Sequence, residues 1–191
     1  MTSAPQPAKS ETDWNKRPLA DLIQWIVNEH HSFIEAALPR LRQKLIDATR
    51  LDCGKNHSLL REITQVLIIM SNELHEHLMK EESVLFPYII SLEKALRHHK
   101  PRPYTPFGKM SNPISVMEDE HKDVHSALAR MRELSKRLVL HQNFEPALHD
   151  FLNGLDSLER DINQHTHLEN DILFPNARSL DAQFKIGRAH V

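Results

Sequence analysis

The sequence predicts an all-α protein, an up-and-down bundle of four helices. Four stretches of the 191-residue chain place apolar residues three and four positions apart, which keeps one face of a helix apolar. The chain contains only four glycines, a low number that suits long helices with few tight turns. No stretch has a credible strand pattern. Together these observations favour four long helices around one core.

The first half of the chain predicts two helices. Helix one is expected over residues 18–48, because Pro18 suits the first helical position and apolar residues then recur at helical spacing. Its apolar positions are Leu19, Leu22, Ile23, Ile26, Val27, Ile34, Leu38, Leu41 and Leu45. Residues 52–56 (DCGKN) have the composition of a turn, after which helix two is expected to run to about Leu96. The apolar positions of helix two are Leu60, Ile63, Leu67, Met70, Leu74, Leu78 and Leu85.

A proline-dense stretch separates this half from the second. Residues 100–108 (KPRPYTPFG) cannot continue a helix, so we interpret them as a crossover loop. Asn112 is then expected to cap helix three, with Pro113 in the first helical position. Helix four is expected from about residue 144 to about 180, with Asn143 as its cap. The apolar positions of these two helices are Ile114, Met117, Val124, Leu128, Met131 and Leu138, then Phe144, Leu148, Leu152, Leu155, Leu158 and Ile162.

The two ends of the chain are expected to lie outside the bundle. Residues 1–16 are rich in Pro, Ser, Thr, Lys and Glu, a composition that predicts a disordered lead-in. The bundle itself is expected over residues 17–180. Residues 181–191 form a tail whose last six letters, IGRAHV, look like a translated sequencing adapter, so we interpret the tail as non-native.

Composition excludes several classes of function. Lys and Arg number 24 against 26 Asp and Glu, a net charge of −2, and the basic residues are scattered, so no nucleic-acid partner is indicated. Cys53 is the only cysteine, which excludes a disulfide framework and a cysteine-based zinc or iron–sulfur site. No apolar run approaches the roughly 18–20 residues of a membrane span, and the first residues lack the apolar core of a signal peptide. A cytoplasmic protein without a membrane partner is expected.

Two segments from different halves share one pattern. Residues 77–87 (HLMKEESVLFP) and 165–175 (HTHLENDILFP) both follow His-x3-Glu-x3-Leu-Phe-Pro. Residues four positions apart are neighbours on one helix face, so each segment offers an imidazole and a carboxylate to a single point. The four side chains are His77, Glu81, His165 and Glu169. All four continue the apolar rows of their helices and are therefore expected to point into the core.

The other two helices each add an inward histidine, His31 and His121. Any one of these histidines would on its own fit an ordinary core or surface position, and spacing alone leaves His30 and His31 nearly tied. Four inward histidines with two buried carboxylates, however, need a partner that satisfies them all, and metal cations do so. Imidazole and carboxylate ligands suit iron, manganese or zinc. The set is too large for one tetrahedral zinc but fits two metals bridged by Glu81 and Glu169; iron is favoured, although ligand type alone does not distinguish it from manganese.

These residues resemble the hemerythrin-like (HHE) family, and more closely its iron–sulfur-cluster repair branch, the RIC (repair of iron centres) di-iron proteins. The resemblance covers about residues 13–178, and its most specific pieces are Pro113-Ile-Ser-Val-Met-Glu118 and the pair Glu169-Asn170. It implies a hemerythrin-like four-helix bundle holding two non-haem iron ions, Fe2+ or Fe3+, joined by an oxo or hydroxo bridge. The metal ligands that it implies are His31, His77, Glu81, His121, His165 and Glu169. Between His30 and His31, the distance to Leu38-Pro39 in the family pattern selects His31. Glu73 and Glu120 match carboxylates that the family places near the metals.

The sequence departs from this branch in two respects. The branch usually carries an N-terminal segment with adjacent cysteines, Cys-Cys-x-Gly-Gly, and the sequence contains no such pair. His125 follows His121 by four residues, the spacing of a histidine pair in oxygen-carrying hemerythrins. His125 is thus either a seventh ligand or a histidine outside the ligand set.

The resemblance implies a stress-response function. The di-iron centre is expected to help repair iron–sulfur clusters damaged by nitrosative or oxidative stress, by iron donation or by scavenging nitric oxide or another oxidant. Damaged iron–sulfur proteins are then the partners, with NO or O2 as small ligands. The alternative, prompted by His125 and by the missing cysteine segment, is a hemerythrin-like sensor or carrier that binds O2 or NO reversibly. A ferritin-like ferroxidase is disfavoured because that site uses Glu-x2-His rather than His-x3-Glu; the resemblance leaves open whether the activity is enzymatic.

Overall fold

The computed structural model describes residues 13–52, 54–141 and 144–186. Within these ranges the chain forms four long helices and no strand, which confirms the all-α four-helix bundle. The helices are α1 (residues 19–51), α2 (57–97), α3 (Ser111–Lys136) and α4 (145–186). Over the same ranges, no helix combines the length and the apolar character needed to cross a bilayer.

Three of the four helices are interrupted by a π-helical turn, in which an N–H bonds the carbonyl five residues back. These turns are Ile26–His31 in α1, Glu81–Leu85 in α2 and Leu168–Leu173 in α4. The α-helical parts on either side are Leu19–Trp25 and Ser32–Leu51, His57–Lys80 and Phe86–Arg97, and Glu145–His167 and Phe174–Ile186. Each π turn includes a residue that the sequence selects as a metal ligand.

The two Leu-Phe-Pro motifs coincide with two of these turns. The Phe86 N–H bonds the Glu81 carbonyl, and the Phe174 N–H bonds the Glu169 carbonyl. A proline follows each phenylalanine. An interior proline lacks the N–H of the α-helical bond and crowds the carbonyl four residues back. The widened turn directly before each proline accommodates both effects.

The core is divided into two apolar clusters with a polar layer between them. Helix α1 packs mainly on α4, and α2 mainly on α3. One cluster includes Leu74 and Ile162, which precede the π turns of α2 and α4. It also includes Val124 of α3, which lies in the same half of the bundle. The other includes Phe86 and Phe174, which follow the turns. Because the predicted ligands fall between these positions along every helix, they lie in one layer at mid-bundle.

The start of α3 differs from the prediction. The helix begins at Ser111, and Asn112 is not its cap. Instead the Asn112 side chain donates to the Phe107 carbonyl at 3.1 Å, and its backbone N–H bonds the Lys109 carbonyl. The crossover loop therefore supplies the turn that leads into the helix. The predicted cap Asn143 and the loop residue Cys53 lie outside the described residues.

The ends of the chain also differ from the expected boundaries. Residues 1–12 of the lead-in and 187–191 of the tail lie outside the described residues. Trp14–Lys16 forms a 3-10 turn, and the Trp14 ring lies 5.7 Å from that of Trp25. Helix α4 continues to residue 186, and Asp181 is buried with Arg102 of the crossover loop 2.7 Å away. Packing onto the bundle thus extends to residues on both sides of the expected 17–180.

We expect Asn56→Ala to lower the free energy of unfolding by about 2 kcal/mol, because it leaves buried backbone groups without partners. Asn56 is 1% exposed and joins the two loops at one end of the bundle: it donates to the Val139 carbonyl at 3.0 Å and accepts the Val139 N–H at 2.7 Å. Urea unfolding of the metal-free protein measures the change. Asn153→Ala, at an exposed position on α4, is the control and should change stability little. Equal losses of unfolding free energy in the two variants would contradict the stabilising role given to the Asn56 hydrogen bonds.

Candidate metal centre

The structure brings the six predicted site residues together in the polar layer. Each is 3% exposed or less. They are His31 on α1, His77 and Glu81 on α2, His121 on α3, and His165 and Glu169 on α4. Helical spacing explains the two His-x3-Glu pairs, whose members are neighbours on one face. Every helix of the bundle therefore contributes to one buried site.

The six side chains form two groups that share both carboxylates. One group contains His31 and His165, the other His77 and His121, and each includes Glu81 and Glu169. Within a group the possible ligand atoms all lie within 4.8 Å of one another. The Nε2 atoms face each other at 3.2 Å in the first pair and at 3.1 Å in the second. The two groups together suit a buried metal site to which both glutamates belong.

The glutamate oxygens are poorly satisfied by the described part of the chain. All four carboxylate oxygens of Glu81 and Glu169 are buried there without a well-aligned hydrogen bond, although Nε2 of His165 and of His121 lies 2.9 Å and 3.1 Å from the Glu169 oxygens. A buried carboxylate without a partner is costly, so the site is unbalanced as protein alone. Cations between the facing imidazoles and the free oxygens would compensate it. By ligand chemistry, the residues fit iron, manganese or zinc.

Burial and proximity separate the two carboxyl groups electrostatically. Complete burial, together with the nearby charge of Glu169, raises the pKa of Glu81 well above its usual range. Burial alone would also raise the pKa of Glu169, but His165 and His121 outweigh it and hold that pKa well below the usual range. The metal-free site thus holds a proton on Glu81 and a charge on Glu169.

The histidines are poised in the form that binds metals. Burial lowers the pKa of His77 to about 4 and also lowers that of His165. Both imidazoles are therefore neutral near neutral pH, as a metal ligand must be. His31 differs: burial acts to lower its pKa, but Glu169 and Glu82 raise it above the ordinary value.

Three of the histidines are oriented by a side chain on their outer nitrogen. Nδ1 of His31 lies 2.7 Å from Glu82, and Nδ1 of His77 lies 2.8 Å from Glu120, which also pairs with Lys80. The third such contact joins His121 Nδ1 to the Asn170 amide oxygen at 3.1 Å. Such partners fix the ring and tune its donor strength. The sequence indicated Glu120 but not the roles of Glu82 and Asn170, although each directly follows a predicted glutamate ligand.

The phenylalanines of the Leu-Phe-Pro motifs pack against the ring faces of two candidate ligands, His31 and His121. Phe86 stacks on His31 with centroids 5.7 Å apart, and Phe174 stacks on His121 with centroids 6.2 Å apart. Each motif thus provides a glutamate to the site and an aromatic wall to a histidine from another helix. This role was not predicted from the sequence.

Three other residues singled out in the sequence lie outside both groups. His125 contacts the Thr166 hydroxyl at 3.3 Å, and His30 is bound to Asp161. Glu73 is exposed and lines a cavity of about 200 Å³ beside His77. Its other lining residues are Glu76, Lys80, Glu120, Asp123 and Val124. The structure therefore groups His31, rather than its neighbour His30, with the other candidate ligands.

We expect metal uptake to release more than one proton per chain, because metal must displace the proton held by Glu81 and the proton that the raised pKa of His31 retains in part. A raised carboxyl pKa keeps the Glu81 proton bound at neutral pH, so the apparent affinity should increase from about pH 6 to about pH 8. Anaerobic calorimetric titration with ferrous iron in two buffers of different ionisation enthalpy measures both quantities. Uptake that is independent of pH and releases no proton would contradict the electrostatic account.

Fold and site together define a class: four-helix bundles that offer a buried histidine and glutamate set to cations. Comparison with known proteins makes this more specific. The family described as Hemerythrin HHE cation binding domain matches residues 21–177. The chain belongs to this hemerythrin family, which confirms the resemblance predicted from its motifs.

Several relatives carry the name iron-sulfur cluster repair protein YtfE. That of Pectobacterium atrosepticum is 31% identical over 179 residues, spanning 91% of this chain and 72% of that protein. The proteins of Salmonella typhimurium and Escherichia coli O81 are 32% and 30% identical over 167 residues, spanning 87% of this chain and 70% of each relative. The similarity to the repair branch therefore extends over most of the chain.

Proposed function

We propose that this protein holds two non-haem iron ions and helps to repair iron–sulfur clusters damaged by nitrosative or oxidative stress. The observation that carries the proposal is the pair of four-residue groups sharing Glu81 and Glu169. The names of the relatives support the repair function. Damaged iron–sulfur proteins would be the partners, and NO or O2 the small ligands.

The six residues would divide the work of holding the irons. His31 and His165 would bind one iron, and His77 and His121 the other. Glu81 and Glu169, which belong to both groups, would help to hold both. Bound iron would supply redox chemistry and a source of iron for a damaged cluster.

The rest of the chain would control access and hydration. Phe86 and Phe174 cover imidazole faces, and the two apolar clusters close the layer from above and below. The cavity beside His77 is lined mainly by charged side chains. Small ligands could therefore approach the layer from the His77 side.

Reversible gas carriage has less support. One of its two motives was His125 as a seventh ligand, and His125 contacts Thr166 outside both groups. The residues that would hold the irons are compatible with scavenging of nitric oxide as well as with iron donation. Repair remains the function that the site and the relatives jointly favour.

A reactivation assay tests the proposal. An enzyme with a [4Fe–4S] cluster is inactivated by nitric oxide and incubated anaerobically with the iron-loaded protein. We expect activity to return, and recovery to be lost with Glu81→Leu or Glu169→Leu. His167→Ala, at an exposed pair with Asp171, is the matched control and should repair like the wild type. Equal repair by metal-free protein would overturn the proposal.

A further inference from the structure

The two halves of the bundle repeat the same contacts around the site. His31 is bonded by Glu82 and stacked on by Phe86. In the second half His121 is bonded by Asn170 and stacked on by Phe174. These partners lie at equivalent places, directly after the glutamate and within the Leu-Phe-Pro motif. Corresponding contacts can therefore be compared one by one.

The repetition is not exact: Asn170 is an amide where Glu82 is a carboxylate, and the partner of the remaining histidine differs in kind. Nδ1 of His77 is bonded by Glu120, the residue directly before His121. The corresponding residue before His31 is His30, and it lies against His165. The two rings are nearly parallel, 11° apart, with centroids separated by 6.0 Å. An imidazole thus occupies the place that a carboxylate holds in the other half.

His30 is fixed in this position. Its ring is 4% exposed, and Nδ1 lies 3.0 Å from Oδ1 of Asp161, one helical turn before His165 on α4. Its Nε2 is buried and has no hydrogen-bond partner within the described part of the chain. A buried polar atom without a partner is unfavourable, so the hydrogen bonding of His30 does not by itself explain an imidazole here. The stacking contact with the His165 ring is the interaction that an imidazole at position 30 provides.

We propose that His30 is a positioning residue: held by Asp161, it sets the orientation of His165 and makes the metal position at His31 and His165 differ from that at His77 and His121. This inference rests on the proposed di-iron site. A carboxylate on the outer nitrogen raises the donor strength of an imidazole, as Glu120 does for His77. A stacked ring restrains His165 without adding that charge. Each position has one carboxylate-bonded histidine, His31 or His77, but the second histidine is bonded by an amide at His121 and stacked by a ring at His165. The two positions should therefore have different spectroscopic properties and release metal at different rates.

Mössbauer spectroscopy of protein loaded anaerobically with 57Fe(II) tests this inference. We expect two quadrupole doublets of equal area in the wild type. In His30→Phe, which keeps a ring but cannot bond Asp161, one doublet should shift while the other is unchanged and both irons remain. Removal of one iron by a chelator should be about tenfold faster, a typical effect of losing an outer partner of a metal-bound histidine. His125→Phe is the control, since His125 is outside both groups, and should leave both doublets unchanged.

A second pair of variants leaves the His30 ring in place. Asp161→Ala should shift the same doublet, and Asp161→Asn, which keeps an acceptor oxygen, should restore the wild-type spectrum. A single doublet in the wild type, unchanged spectra in His30→Phe and Asp161→Ala, or equal shifts of both doublets would each overturn the inference. These outcomes all occur with two irons bound. Wild-type protein that binds no iron would instead refute the proposed di-iron site, and this inference with it.

Discussion

Replacing Glu81 with leucine is expected to abolish the binding of two metals and, at the same time, to stabilise the metal-free bundle. Glu81 is fully buried, its two oxygens meet no well-aligned donor among the described residues, and burial raises its pKa. Replacing buried, poorly satisfied charged groups by well-packed apolar side chains of similar volume is often neutral or stabilising, by up to about 4 kcal/mol. We therefore expect the free energy of unfolding of the metal-free protein to rise while metal binding is lost.

Urea unfolding of metal-free protein and metal analysis of reconstituted protein measure the two effects. Glu133→Leu, at an exposed position on α3, is the matched control and should change stability by no more than about 0.5 kcal/mol and leave the metal content unchanged. Destabilised metal-free Glu81→Leu protein would mean that the carboxyl has a structural partner in the bundle. Retention of two metals would exclude Glu81 as a bridge.

The second large effect is expected from single histidine substitutions. His77→Ala and His165→Ala each remove one imidazole from a different group, so each variant should bind at most one metal tightly. His125→Ala removes a histidine outside both groups and should retain two. Metal analysis after gel filtration distinguishes these cases. If His125→Ala loses a metal as His77→Ala does, the ligand set is larger than the six residues proposed.

The selection of candidate ligands from the sequence depended on helical geometry. The spacing of His77 to Glu81 and of His165 to Glu169 places each pair on one face, and the apolar rows around them indicate burial. The structure places these four side chains in one layer. Such spacing is local, so it can be predicted without knowing how the helices pack.

The choice between His30 and His31 could not be made from spacing. Both are buried, 4% and 1% exposed, because the π turn Ile26–His31 adds a residue to the helical turn and brings two neighbouring side chains inward. A rule based on 3.6 residues per turn does not anticipate this. The same limit applies to Glu82 and Asn170, whose partners lie on other helices and depend on packing.

Helix ends were less predictable than helix faces. Asn112 has the chemistry of a cap, but contacts with Phe107 in the crossover loop move the start of α3 to Ser111. The extension of α4 past residue 180 depends on Asp181 meeting Arg102 from the same loop. Both outcomes follow from tertiary contacts of one loop, which local composition does not contain.

The most direct test of the proposed centre is the metal content per chain of anaerobically purified and iron-reconstituted protein, together with its Mössbauer and visible spectra. We expect about two irons per chain, one for each of the two groups of candidate ligands. One zinc per chain, or no bound metal in a bundle that remains folded, would contradict the di-iron assignment and the repair function proposed from it.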